Sequence, residues 1–191
     1  MKSVFVIGDT ISLDYHKFMK DMLYEKADYS SDIFSANGVD SIQVLEYLNE
    51  IDKEGKKYDI LLINCGLNDI KRNHHNMKKQ IDKEDYEKNL KRILEIGQDI
   101  SNKVYWINST PVDNDLHNQS TLRSYRYDWD VVEYNKIADK VMNENNVDVI
   151  DLYDYTKSFE AKDMYRDYIH FNDDISAKQA EFIYKKIENN L

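Results

Sequence analysis

Residues 58–64 read Tyr-Asp-Ile-Leu-Leu-Ile-Asn. Four apolar side chains in a row, Ile60 to Ile63, leave no wet face on a strand. Such runs belong to parallel strands covered on both sides, whereas an antiparallel strand with one solvated face alternates. This stretch therefore predicts a sheet buried between two helical layers. Working outward, Ser3–Ile7 is a second apolar run, stopped by Gly8-Asp9, and Lys103–Asn108 is a third, stopped by Ser109-Thr110-Pro111. Val147–Ile150 reads as a short strand and Asp32–Ser35 as a weak one.

Helical periodicity fills the gaps. Leu13 to about Lys26 places Phe18, Met19, Met22 and Leu23 on one face. From Asp40, Val44, Leu45, Leu48 and Ile51 recur at helical spacing, and Asp40 with Gln43 fits a capping box. Further helices are predicted over about Asp85–Ser101, Val131–Asn143 and Asp174–Asn189. Strands alternating with helices predict an α/β fold, a three-layer α/β/α sandwich around a five-stranded, mostly parallel sheet. With no internal repeat, linker or low-complexity tract, 191 residues read as a single domain over 1–191.

Composition narrows the function. Lys plus Arg is 26 against 36 Asp plus Glu, a net charge of −10, which argues against nucleic-acid and anionic-membrane partners. Cys65 is the single cysteine, so an internal disulfide and a Cys-rich zinc site are both ruled out, and a reducing, cytoplasmic setting is expected. No apolar run approaches the length of a membrane span or a signal segment.

In open α/β sheets the working residues gather at the carboxyl ends of the strands. There stand Gly8-Asp9-Thr10, Asn37-Gly38, Gly66-Leu67-Asn68-Asp69 and Thr110-Pro111, with Asp167-Tyr168-Ile169-His170 ahead of the last helix. Three of the five glycines fall at these ends. A glycine there lets a backbone N–H approach a ligand with no Cβ in the way. His170 is the best general-base candidate among the histidines, because imidazole titrates near working pH, and Asp167 could orient it.

These blocks resemble those of the SGNH hydrolases of the GDSL esterase superfamily: a Gly-Asp-Ser turn, a second-block glycine, Gly-x-Asn-Asp and Asp-x-x-His, in that order over residues 8 to 170. Tyr58–Arg72, Thr110-Pro111-Val112 and Val132–Asn135 are similar to bacterial members, carbohydrate esterases in particular. The resemblance implies a flavodoxin-like SGNH fold. It implies ester hydrolysis through Thr10, His170 and Asp167 with no cofactor or metal. The oxyanion hole would be Thr10 N–H, Gly38 N–H and the Asn68 amide, with Asp9 in support. The implied substrate is a small-molecule or saccharide ester carrying a small acyl group, acetyl first; a lipase or thioesterase on the same scaffold is the other enzymatic reading.

Position 10 departs from the family, which has serine there. A threonine hydroxyl is crowded by its γ-methyl. Three accounts stay open: a working nucleophile, a protein that binds a ligand without turnover, and an engineered change. Other candidates have plainer readings. Ser12 falls early in the first helix, facing elsewhere, and Cys65 reads as a packed thiol. His74-His75 reads as a solvated pair, not a metal site, and His117 as a surface-loop residue. Asp69 reads as structural. Tyr125, Tyr127 and Trp129 suit either a sugar-stacking wall or the core.

Overall fold

The computed structural model describes residues 1–32, 39–120, 124–159 and 164–191. Among these residues five strands form one sheet: β1 (Lys2–Ile7), β2 (Ala27–Asp32), β3 (Tyr58–Ile63), β4 (Ser101–Ile107) and β5 (Asp148–Ile150). Their order is β2-β1-β3-β4-β5 and every pairing is parallel. Among the described residues seven α-helices connect or flank them: α1 (Thr10–Leu23), α2 (Ser41–Lys53), α3 (Lys83–Ile100), α4 (Asn114–Ser120), α5 (Asp128–Glu144), α6 (Leu152–Lys157) and α7 (Asp173–Ile187).

The strand order reverses at β1. The chain steps from β1 to β2 on one side, then returns past β1 to β3, β4 and β5. Right-handed crossovers put α1 on one face and α2 and α3 on the other. In agreement, α1 packs against α7, while α2 packs against α3 and α3 against α5. The four residues Ile60 to Ile63 are each at most 1 % exposed, and Val4 to Ile7 are buried with them. The α/β/α layering expected from the 58–64 run is the one found.

Helix starts follow from short side-chain acceptors. Asp9 caps α1 through Ile11 N–H at 3.0 Å, and Asn172 caps α7 through Ile175 N–H at 3.0 Å. Asp40 and Gln43 form the expected capping box of α2. Each such bond satisfies an amide that the helix cannot satisfy itself.

Two expectations shift. The second strand is Ala27–Asp32, not Asp32–Ser35; residues 33–38 lie outside the described residues. It is an edge strand paired only with β1, from Lys2↔Ala27 to Ile7↔Asp32. An edge strand half in water carries no apolar run, so its Ala-Asp-Tyr-Ser-Ser-Asp sequence gives little signal. The first helix correspondingly starts at Thr10 and stops at Leu23, followed by Glu25 at φ +60°. The short helices α4 and α6 were not anticipated, being too short for a periodic pattern. No helix among the described residues is long and apolar enough to cross a membrane.

Candidate active site

The strand order reverses between β1 and β3, and that crevice is where doubly wound sheets bind ligands. Gly8-Asp9-Thr10 leaves β1 there and Asn64 to Asp69 leaves β3. The two ends touch: Asn64 N–H donates to Ile7 O at 3.0 Å. Gly8 is required by this closeness. A Cβ at residue 8 would run into Ser12 Oγ and lie 3.3 Å from Asn64 Cβ. At Gly66 the backbone has φ +142°, a conformation side chains avoid, and a Cβ would sit 2.5 Å from Ser109 Oγ.

Thr10 opens α1, so its backbone N–H points out of the helix without an intrahelical acceptor. Its Oγ1 lies 2.9 Å from His170 Nε2, across 160 residues of sequence. His170 Nδ1 lies 2.8 Å from Asp167 Oδ2 and 3.1 Å from Oδ1. Asp167 Oδ1 also accepts the backbone N–H groups of Ile169 at 2.9 Å and His170 at 2.8 Å. Burial pushes the Asp167 carboxyl up, but these backbone donors and the imidazole outweigh it and hold the group below its usual range. The carboxylate is therefore ionised and both its oxygens are engaged, which fixes the ring plane.

The turn carrying Asp167 and His170 is anchored to α1. Arg166 N–H donates to His170 O at 2.7 Å, closing the turn. The Arg166 guanidinium donates to Asp14 Oδ1 at 2.9 Å, one helical turn past Thr10. Asp14 is 9 % exposed, and burial raises its pKa against the pull of Arg166.

Asn68 is 4 % exposed. Its Nδ2 donates to Val39 O at 3.3 Å, and among the described residues its second amide hydrogen has no acceptor. Its Oδ1 accepts from Arg126 Nη2 at 2.8 Å. Asp69 is fully buried and takes the Ser41 N–H at the start of α2 on both oxygens, at 3.0 and 3.2 Å. Burial lifts its pKa to about 7 despite those bonds. Its role is structural: it ties the entry of α2 to the Gly66–Asp69 turn. Gly38 lies outside the described residues.

Asp9 is 1 % exposed beneath Thr10. One oxygen caps α1; Oδ2 has no hydrogen-bond partner among the described residues. Burial raises its pKa to about 6, opposed by the Ile11 amide and by the charge of Arg126. The unfolded carboxyl ionises near 3.8, so between about 4 and 6 the native state holds a proton that the unfolded state has lost. Native stability contributed here falls as pH rises through that window. Asn is as good a helix cap as Asp and does not titrate. Asp9→Asn should therefore gain stability relative to the native protein as pH goes from 4 to 6, by about 3 kcal/mol at most. Urea unfolding at several pH values measures it, and a difference that stays flat across the window contradicts the assignment.

The remaining candidates separate cleanly. Ser12 Oγ is buried and accepts from Tyr15 O–H at 3.0 Å, so it is committed to the interior. Cys65 is fully buried with its thiol pushed well up by desolvation, an inert packed group as expected. His74 stands edge-on to Tyr125 at 4.3 Å. Among the described residues no three His, Cys, Asp or Glu side chains are grouped to hold a metal ion. Tyr127 stacks on Trp129 at 4.2 Å, and Trp129 is 57 % exposed, so that residue is not core. His117 is not a surface residue: it is fully buried, on α4, against Arg126. Arg126, Asp14 and Arg166 escaped the sequence reading, and His117 entered it only as a surface-loop residue, since none lies in a strand-end block.

A sheet of this order, with a hydroxyl, an imidazole and a carboxylate in series at its switch point, defines a hydrolase of the SGNH type. The family model for GDSL-like lipases and acylhydrolases matches residues 12–178, and the chain belongs to that family of carboxylic ester hydrolases. The match includes Asn68, Asp167 and His170 and begins two residues after Thr10. No curated protein matches the chain in sequence. Among solved structures it is similar to a lipase/acylhydrolase from Enterococcus faecalis, with 21 % identity over 100 % of this chain and 97 % of that one at a TM-score of 0.80. It is also similar to a variant of an acetyl xylan esterase from Geobacillus stearothermophilus, with 14 % identity over 97 % and 94 % at 0.77. A third is an alpha/beta hydrolase enzyme from the metagenome of Lake Arreo, with 14 % identity over 100 % and 96 % at 0.78.

Proposed function

We propose that residues 1–191 act as one hydrolase domain that removes a small acyl group, acetyl first, from a carbohydrate or similarly polar ester. The observation that carries this is the Thr10 Oγ1, His170 Nε2, Asp167 series at 2.9 and 2.8 Å. His170 Nε2 takes the Thr10 hydroxyl proton as Oγ1 bonds to the ester carbonyl carbon. The resulting oxyanion is met by Thr10 N–H, Gly38 N–H and Asn68 Nδ2. The intermediate collapses to an acyl-threonine, and His170 returns its proton to the leaving alcohol. Water then attacks; His170 takes its proton, and the acid leaves as Thr10 recovers its hydrogen. Asp167 holds the ring in the tautomer with Nδ1 protonated and stabilises the imidazolium. This route uses no metal or organic cofactor. One buried free thiol, Cys65, supports a cytoplasmic setting, and the net charge of −10 disfavours nucleic acid as a partner.

The likeness to an acetyl xylan esterase supports the acetyl and saccharide assignment. Aryl acetate, aryl decanoate and acetylated xylo-oligosaccharide, assayed side by side, test it. We expect kcat/KM for the acetate to exceed that for the decanoate at least tenfold, with acetate released from the oligosaccharide. The reverse preference would make the protein a lipase or thioesterase. No turnover of any of the three, with the sugar ester still bound, would make it a binding protein.

A further inference from the structure

Arg126 is a buried cation with an unusual set of partners. It is 7 % exposed, and buried guanidinium groups ordinarily pair with carboxylates. Here Nε donates to Leu67 O at 2.6 Å, Nη2 to Asn68 Oδ1 at 2.8 Å, and Nη1 to His117 Nε2 at 2.7 Å. None of the three acceptors is charged. The main opposing charge acting on Arg126 is Asp9, which makes no hydrogen bond to it among the described residues and whose own pKa burial raises to about 6.

The fork has a geometric consequence. Nε and Nη2 grip the main-chain oxygen of Leu67 and the side-chain oxygen of Asn68, two neighbouring acceptors. An Asn amide can otherwise flip by half a turn, exchanging oxygen and nitrogen. Flipped, Asn68 would set its NH2 group against the guanidinium and leave two buried donors facing each other. Arg126 therefore holds Oδ1 on its own side and turns Nδ2 away, toward Val39 O.

His117 completes the arrangement. To accept from Arg126, Nε2 must carry a lone pair, which puts the ring proton on Nδ1. That nitrogen faces Asn118 Oδ1 at 3.2 Å, and the same oxygen accepts the Arg126 backbone N–H at 3.0 Å. Burial first, and then the charge of Arg126, lowers the His117 pKa to about 4, so the ring is a neutral acceptor at working pH. The Tyr168 ring packs edge-on to it at 5.4 Å.

We infer that Arg126, held by neutral His117, is a positioning residue for ester hydrolysis: it sets the Asn68 amide with Nδ2 toward the substrate oxyanion. The inference rests on the reading above, in which Asn68 is an oxyanion donor. Nothing here requires Arg126 to touch substrate.

A double-mutant cycle on kcat for aryl acetate tests it, run in the native protein or in Thr10→Ser if that variant alone is fast enough. Asn68→Ala should lower kcat about 100-fold, as loss of one oxyanion donor does. Arg126→Met should lower kcat about 10- to 100-fold with KM within about threefold. In the Asn68→Ala background the same change should cost less than about twofold, because the two act as a unit. His117→Leu should reproduce part of the loss and His117→Gln, which keeps an acceptor near Nε2, should restore it; this pair serves if Arg126→Met does not fold. Equal losses in both backgrounds, or a loss confined to KM, would overturn the inference. So would a crystal structure of Arg126→Met, or of His117→Leu, with the Asn68 amide unmoved, a result independent of turnover. Absence of turnover in both the native and Thr10→Ser proteins would instead overturn the esterase reading.

Discussion

His170→Ala is expected to lower kcat for an aryl acetate by about 1000-fold or more while changing KM less than about threefold. The reason is local. Among the described residues Thr10 Oγ1 has one basic neighbour within hydrogen-bond reach, His170 Nε2 at 2.9 Å. Without it the hydroxyl keeps its proton, and the leaving alcohol has no donor. The fold should survive, because the turn is held by backbone groups that alanine keeps: His170 N–H to Asp167 Oδ1 at 2.8 Å and Arg166 N–H to His170 O at 2.7 Å. Asp167→Asn is the sharper companion. Its amide oxygen can still accept both backbone N–H groups, so the turn persists. Its NH2 must then face Nδ1, which forces the wrong tautomer on the imidazole, a change that costs about 10⁴-fold in a comparable triad. Steady-state kinetics beside thermal unfolding separates the two effects. Activity within tenfold of native in His170→Ala would remove His170 from the mechanism.

The second large effect is at position 10. Thr10→Ala should abolish turnover and Thr10→Ser should keep or raise it. Serine presents the same oxygen from the same first residue of α1 without the γ-methyl that restricts χ1 and crowds the tetrahedral carbon. Acyl-enzyme trapped from an aryl acetate and located by peptide mass spectrometry gives the direct readout. Activity surviving Thr10→Ala would displace Thr10 as nucleophile. Ser12 is a poor substitute, being fully buried and bonded to Tyr15 O–H. A silent native protein with an active Thr10→Ser variant would mean that the methyl alone switches the site off.

Most of the sheet could be read from the chain. β1, β3 and β4 each end in four successive apolar residues, and burial on both faces demands such runs. β2 could not be placed, because a polar edge strand is defined by its partner β1 and not by its own side chains. The ends of α1, α2 and α7 are set by Asp9, Asp40 and Asn172, whose short side chains cap within three residues and are therefore local signals.

The site divides in the same way. Thr10, Asn68, Asp167 and His170 stand out in the sequence because each follows a glycine-marked turn or sits three residues from a partner. Arg126 meets Leu67 across 59 residues, and Arg166 meets Asp14 across 152. No local pattern marks such pairs. His117, in a polar stretch, reads as exposed until α4 carries it inward against Arg126.

By itself, then, the sequence determined the α/β layering, the parallel sheet, the family and which residues are candidates for the chemistry. These follow from local periodicity, capping and strand-end turns, which act over a few residues. Only the tertiary structure decided that Thr10 and His170 meet, which way the Asn68 amide faces, and that Asp9 keeps its proton to about 6. Those properties depend on desolvation and on contacts between distant segments. Both exist only once the β1 and β3 ends close together and exclude water.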